Sequence, residues 1–240
     1  MIDWLRRTPA DPVVLLAGKE IPIVLRRHAT ARRMTMRLAP DGSEVRITLP
    51  RWGRTADALD FAASRHEWLE GQFAKLPQAT PPTPGGSLSY RGNQLAIAWA
   101  ADARRKPALG EAGIVIGGPA DSLAARLRRW LEAEARQLME NDLAEYCTAT
   151  GKAPPQLRMS RARQRWGSCA GDGTIRLNWR LVQAPDEIRR SVVAHEVAHL
   201  VHFDHSPAFH ALLNDLYEGD VKAANRWLKQ HGRSLYAQFG

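Results

Sequence analysis

Residues 195–199, with the sequence His-Glu-Val-Ala-His, constrain the fold of this chain more than any other segment. Two histidines at positions i and i+4 lie one turn apart on a helix, so both imidazoles can bind one metal ion at about 2.0–2.1 Å. Glu196 then lies next to the first ligand, where its carboxylate can take a proton from a metal-bound water. The surrounding segment 191–201 is largely apolar, which predicts a helix buried beneath a cleft. A core helix with two hydrogen-bonded histidines is the alternative interpretation.

A catalytic zinc site needs a third protein ligand, and His205 is the first candidate. It follows His199 by six residues, the interval found in the long zinc motif with a third histidine. The chain has to leave the helix between these two histidines. Asp204 can end the helix, and Ser206-Pro207 is typical of an N-cap followed by proline at the first position of a new helix. His205 is therefore expected in a turn, facing back toward the pair.

Three further side chains compete with His205 for this role. His202 shares the face of the first two histidines, but at i+7 it lies about 10.5 Å along the helix axis from His195. Three ligands on one straight helix surround a single ion poorly. Glu218 would supply a carboxylate from the end of the next helix, and Cys169 would supply a thiolate. A buried, reduced thiol is the alternative for Cys169, and the choice of third ligand stays open at this point.

The apolar pattern divides the chain into a β-rich part, residues 1–118, and a largely helical part, residues 119–240, which predicts an α+β fold. The β-rich part should contain strands over 20–50, one helix from Thr55 to about Leu76, and a proline- and glycine-rich linker near 80–86. The remaining expected elements are a hairpin at the 40–43 turn, strands over 87–90, 94–99 and 113–116, a long helix ending near 147, and two short strands, 157–160 and 174–177, around the 171–173 turn.

Charge and cysteine content indicate which partners and which cellular location to expect. The chain has 34 Lys and Arg against 25 Asp and Glu, a net charge of +9, which favours contact with nucleic acid. Arg26, Arg27, Arg32 and Arg33 would make such a DNA contact in the β-rich part, and a solvated sheet face is the alternative. With two cysteines we expect reduced thiols and a cytoplasmic location. No apolar run approaches the roughly 18 residues of a membrane helix, so no membrane partner is expected.

Several motifs follow one another along the chain in the same order as in a known family, which they resemble. They are Arg165–Cys169 (Arg-Trp-Gly-Ser-Cys), Gly173–Trp179, Pro185 and the segment 195–209. Together they resemble the YgjP-like zinc metallopeptidases, which are relatives of the SprT-like proteases. The resemblance is sharpest over residues 120–232 and extends more loosely over most of the chain.

The resemblance implies a zincin-like metalloprotease fold, with zinc bound by His195, His199 and His205 and with Glu196 as the catalytic residue. It also implies that the Trp-Gly-Ser-Cys turn, Trp166–Cys169, lies beside the helix that carries the motif. Its implied reaction is hydrolysis of peptide bonds in protein or peptide substrates, by an HExxH-type endopeptidase. The alternative is a nucleic-acid-associated zinc-binding module, or a protease that acts on DNA-bound proteins.

Two departures from related motifs accompany this resemblance. Where the long three-histidine motif of other zinc proteases has a glycine, this chain has His202, so the turn differs from theirs. Where family members often have Phe-Trp after the third ligand, this chain has Phe209-His210. His202 and His210, together with Arg165, are the candidates for stabilising an oxyanion, and the sequence does not choose among them. The acids considered for orienting the histidines are Asp204, Asp215 and Glu218.

Overall fold

The structure is a computed structural model that describes residues 5–6, 12–111 and 113–239. Its contacts form two compact units, the N-terminal unit, Met1–Gln78, and the C-terminal unit, Ala79–Gly240. The boundary expected at 118–119 falls inside the C-terminal unit. Strands before that point share one hydrophobic core with the helix after it, so that Leu88 and Ile114 pack in the same cluster as Leu127.

The N-terminal unit is a five-stranded sheet with the strand order β1-β2-β3-β5-β4 and two helices. Side chains alternate along β5, where Val45, Ile47 and Leu49 are buried and the residues between them are partly exposed. The buried side forms a core with residues of both helices. The predicted hairpin is confirmed, since β4 and β5 are antiparallel. The elements are β1 (Leu5–Arg6), β2 (Val13–Leu16), β3 (Lys19–His28), β4 (Thr35–Leu38), β5 (Val45–Pro50), α1 (Thr55–Ser64) and α2 (His66–Phe73).

The single helix expected from Thr55 to about Leu76 is wrong in one respect, because the chain forms two helices there. Arg65 lies between them with φ −115° and ψ 17°, outside helical geometry. Its backbone N–H donates to the carbonyl of Ala62 rather than continuing the regular ladder. Both helices contribute to the same core, through Leu59 of α1 and Leu69 of α2.

The C-terminal unit begins with a four-stranded sheet of order β6-β7-β9-β8, followed by the long helix α3. The three strands expected here are present, and β8 is an additional short strand that pairs with β9. The predicted long helix is confirmed, and its apolar stripe packs on the sheet. The elements are β6 (Ser87–Tyr90), β7 (Asn93–Trp99), β8 (Ala108–Gly110), β9 (Gly113–Ile116) and α3 (Leu123–Ala149).

A second, three-stranded sheet of order β10-β12-β11 follows α3. The expected strands correspond to β10 (Leu157–Ser160) and β12 (Ile175–Asn178), but these two are parallel neighbours. The 171–173 turn instead joins β12 to β11 (Gly167–Cys169), an antiparallel partner that the sequence pattern did not reveal. A strand of three residues, two of them Gly167 and Ser168, has too little apolar alternation to be recognised.

Three helices complete the C-terminal unit: α4 (Asp186–Ala198), α5 (Pro207–Leu216) and α6 (Val221–His231). Pro185 precedes α4, and acids occupy its first turn, where they interact favourably with the helix dipole. Within the described residues, no helix has the length and apolar character needed to cross a membrane. The chain is thus a mixed α+β protein whose motif helix lies in the C-terminal unit.

Candidate metal centre

Helix α4 is held firmly both before the motif and within it. Its buried residues Val193, Ala194, Val197 and Ala198 pack in the main core of the unit. At its N-terminal half, Arg189 is 3% exposed and its Nε donates to Asp142 of α3 at 2.7 Å. Arg189 also pairs with Asp186 in the first turn of α4. This buried ion pair ties the motif helix to α3.

The helix ends earlier than the sequence suggested, at Ala198 rather than near Asp204. The N–H of Leu200 donates to Val197 and the N–H of Val201 donates to Ala198, at 2.9 and 3.1 Å. These i to i+3 bonds tighten the last turn and satisfy carbonyls that a longer helix would have used. His199 is consequently the capping residue of α4, and the chain turns away directly after it.

The side chains of His195, His199 and His205 converge. One ring nitrogen from each lies within 4.8 Å of the other two. Among the described His, Cys, Asp and Glu side chains, these three form the cluster that could hold one metal ion. The Nε2 atoms of His195 and His205 are 3.3 Å apart. Two nitrogen ligands at about 2.0–2.1 Å from a tetrahedral zinc ion are separated by about 3.3–3.4 Å, so the spacing of His195 and His205 is the one that two zinc ligands have.

The turn that returns His205 to the pair was predicted from its sequence. Ser206 caps α5, accepting a hydrogen bond from the N–H of Phe209 at 3.3 Å, and Pro207 occupies the first turn. The fully buried ring of Phe209 lies beneath the cluster, with its centroid 5.0, 4.5 and 4.9 Å from the rings of His195, His199 and His205. Phe209 therefore supports all three imidazoles, a role that the sequence analysis missed.

The lowered pKa values of two of the histidines, His195 and His199, suit metal binding. Burial, assisted by the neighbouring imidazoles, lowers the pKa of His195 to about 4, so this ring is neutral at pH 7. Burial also lowers the pKa of His199. The Nδ1 of His199 faces the carbonyl oxygen of His202 at 3.2 Å, a contact that orients the ring and leaves Nε2 for an ion.

Glu196 also lines the site and is 5% exposed. It receives a hydrogen bond from the backbone N–H of Cys169 in β11, and the charge of Arg165 acts on it as well. Burial outweighs both effects and raises the pKa of Glu196 to about 7. The Trp-Gly-Ser-Cys turn thus lies beside α4, as the resemblance implied.

A cavity of about 290 Å³ contains this site. Phe203 is 65% exposed and forms part of its rim, with its ring centroid 6.2 Å from that of His199. The described residues that line the cavity are Gly167, Ser168, Cys169, His195, Glu196, His199, Phe203 and His205.

The competing ligands have other positions or partners. His202 contributes its backbone carbonyl to the turn, and its ring is outside the cluster. Glu218 accepts a hydrogen bond from Tyr146 at 2.7 Å and pairs with Arg190. Cys169 lines the cavity, but its sulfur is also outside the cluster. Of the four candidates, His205 is therefore the one whose ring lies with those of His195 and His199.

Of the other side chains that the sequence suggested for the site or for DNA contact, some lie near the histidine cluster and others do not. The ring of His210 lies near it, with its centroid 6.3 Å from that of His205. The charge of Asp204 acts to raise the pKa of His199, against the larger effect of burial. Arg26, Arg27 and the segment 32–33 belong to the N-terminal unit, where their side chains are exposed.

Comparison with known proteins places the chain in a family. No curated protein sequence matches it. A solved structure, the metallopeptidase zymogen of Pyrococcus abyssi abylysin, is 20% identical, with a match that covers 41% of this chain and 96% of that one at a TM-score of 0.35. The family described as YgjP-like, metallopeptidase domain, matches residues 32–231. The chain, which carries a histidine cluster suited to a metal ion within that match, belongs to the YgjP-like metallopeptidase family.

Proposed function

We propose that this protein is a zinc-dependent metallopeptidase that hydrolyses peptide bonds in protein substrates. The observation that carries the proposal is the convergence of His195, His199 and His205 within 4.8 Å, in a cavity that also contains the carboxylate of Glu196. Three imidazoles with space beside them are the usual donor set of a catalytic zinc, whereas a structural zinc has four protein ligands. Family membership supports a metal-dependent peptidase.

Glu196 is proposed as the general base. Zinc bound to the three histidines would supply Lewis acidity, which lowers the pKa of water and polarises a carbonyl group. The carboxylate of Glu196 would accept the proton from the attacking water and deliver it to the leaving amine. The N–H of Cys169 would hold that carboxylate toward the cavity during both transfers.

An endopeptidase is the best fit to the cavity lining. Among the described residues that line it, none is a lysine or arginine that would bind the terminal carboxylate of a peptide. Glu196 is the one acid among them, and it is assigned to proton transfer. The zincin-like arrangement that we propose consists of helix α4 with its two histidines, the turn that returns His205, and strand β11 beside Glu196.

The first experiment is elemental analysis of zinc in protein purified without added metal. About one zinc per chain is expected in the wild type, and a large loss is expected in His205→Ala. Glu196→Gln should retain the zinc and lose hydrolysis of an unfolded protein substrate such as casein. Wild-type protein that takes up no zinc even after reconstitution would refute the proposal, and turnover by zinc-loaded Glu196→Gln would refute the general-base assignment.

DNA contact through the N-terminal unit is the second candidate function. Arg26, Arg27, Arg32 and Arg33 are exposed in this unit and would supply the positive charge that binds phosphates. Arg46 on β5 is not counted among them, because its charge is compensated by an ion pair with Glu44. The test is the salt dependence of DNA binding by the intact chain. Steep dependence that is lost when Arg26, Arg27 and the segment 32–33 are neutralised supports the contact, and weak, salt-insensitive binding excludes it.

A cytoplasmic location remains part of the proposal. Cys147 and Cys169 are both free thiols in the structure, as a reducing compartment would allow. Labelling of both thiols in freshly purified, denatured protein tests their redox state. A disulfide or another oxidised form of the two cysteines would contradict the expectation.

A further inference from the structure

Strand β11 approaches the Glu196 side chain so closely that Gly167 leaves no room for a larger residue. A Cβ atom placed on Gly167 would lie 2.4 Å from Oε1, 2.7 Å from Cγ and 2.8 Å from Cδ of Glu196. Non-bonded carbon atoms in proteins do not approach so closely, because steric repulsion rises steeply inside the optimal separation of about 3.5–4.0 Å. Accommodation of even a methyl group would require the whole carboxyl group to move, and not only its terminal oxygen.

The backbone of Gly167 does not itself require glycine. Its φ lies outside the left-handed region, where glycine is favoured, so an alanine could adopt the same backbone conformation. Gly173, in the turn of the same hairpin, differs in this respect because its φ is +82°. The need for glycine at position 167 is therefore a need for space beside Glu196.

Glu196 has little freedom to move away from β11. Its side chain is almost completely buried, and the N–H of Cys169 donates a hydrogen bond to its carboxylate. Its neighbour along α4, Val197, is fully buried in the core, which prevents the helix from shifting. A group inserted at position 167 would consequently separate the carboxylate from its hydrogen-bond donor.

We propose that Gly167 is a positioning residue. It leaves the space in which the Glu196 carboxylate is held, while Cys169, two residues further along β11, donates the hydrogen bond that orients it. The consequence for turnover rests on the proposed function, in which Glu196 is the general base. The packing relation between Gly167 and Glu196 is independent of that function, and it can be measured without any substrate.

The decisive experiment is a double-mutant cycle of Gly167→Ala and Glu196→Ala, measured by urea unfolding of metal-free protein. Glu196→Ala removes all three atoms that the new methyl group would meet. In the wild-type background, Gly167→Ala should lower the folding equilibrium constant about tenfold or more, as overpacking does. In the Glu196→Ala background, the same change should be neutral or slightly stabilising, because glycine is replaced without strain.

Gly171→Ala is the matched control, since nothing lies within 4 Å of its Cβ position and its φ also lies outside the left-handed region. It should change stability equally in both backgrounds. A Gly167→Ala effect of equal size in both backgrounds would overturn the proposal. If Gly167→Ala does not fold in the wild-type background, the double variant decides alone: a folded double variant supports the proposal, and an unfolded one overturns it.

Kinetics then distinguish positioning from general damage. Zinc-loaded Gly167→Ala should keep the zinc content and KM of the wild type, while kcat falls about 100-fold, the effect of displacing a reacting group by about 1 Å. Gly171→Ala should keep wild-type kcat. Full kcat in zinc-loaded Gly167→Ala would overturn the positioning role. If wild-type protein has no peptidase activity, the proposed function fails, and the unfolding cycle still decides whether Gly167 makes room for Glu196.

Discussion

Replacement of Phe209 by alanine should weaken both the fold and the metal site. The ring is fully buried and lies within 5.0 Å of the three imidazole centroids. Removal of a buried phenylalanine side chain costs about 3–5 kcal/mol of unfolding free energy through lost burial and the cavity that remains. The rings of His195, His199 and His205 lose their common support, and loss of such support typically lowers metal affinity about 10–100-fold, or about 1.4–2.7 kcal/mol.

Leu213→Ala is the control for this prediction. Leu213 is one turn further along α5 and is also buried, so its truncation should cost about 2–5 kcal/mol. Unfolding in urea measures both stability losses. Competition with a chromophoric chelator measures zinc affinity, and it is carried out on folded protein without urea. A zinc affinity of Phe209→Ala equal to that of Leu213→Ala would refute the reasoning, as would a stability loss below about 1 kcal/mol.

Three other perturbations test the structure around the site. Asp142→Asn should cost about 3 kcal/mol in urea unfolding, because Arg189 then keeps a buried charge with less compensation; an unchanged midpoint would contradict this. Burial raises the pKa of Glu218, but hydrogen bonds from Arg190 and Tyr146 outweigh it and lower the value to about 2. The folded pKa is thus below the unfolded one, so this contribution to stability is present above about pH 4.5 and disappears toward pH 2. Glu218→Gln should flatten the decline in urea midpoint between pH 5 and pH 2, and an unaltered slope would exclude this source. Removal of zinc by a chelator should abolish hydrolysis and leave the far-ultraviolet circular dichroism unchanged, because buried packing and an ion pair hold α4; loss of helix on chelation would show a structural metal.

The local features of the site could be predicted from sequence because each depends on a few neighbouring residues. The spacing of His195 and His199 requires one helical face, and Ser206-Pro207 begins the next helix where it was expected. The alternation of buried side chains along β5 and the apolar stripe of α3 could also be predicted. Side chains repeat every 2 residues in a strand and every 3.6 residues in a helix, so both patterns are present in the sequence itself.

Other features of the secondary structure could not be predicted from the pattern of residues. The break at Arg65 interrupts a segment whose apolar spacing suits a single helix. Strand β11 is short and polar, and it is a strand because β12 pairs with it. The parallel pairing of β10 with β12 likewise depends on which segments meet in space, and no local pattern distinguishes it from a hairpin.

By itself, therefore, the sequence determined the type of chemistry: a histidine pair on a helix, a glutamate beside it, and a family whose motifs surround both. The tertiary structure decided which side chain stands third beside the pair, because His202, Glu218 and Cys169 differ from His205 in where the folded chain directs them. It also decided that β11 lies against the glutamate. Both relations arise from close packing between segments that are distant along the chain. The sequence around each candidate residue does not contain that packing, so it cannot distinguish the candidates.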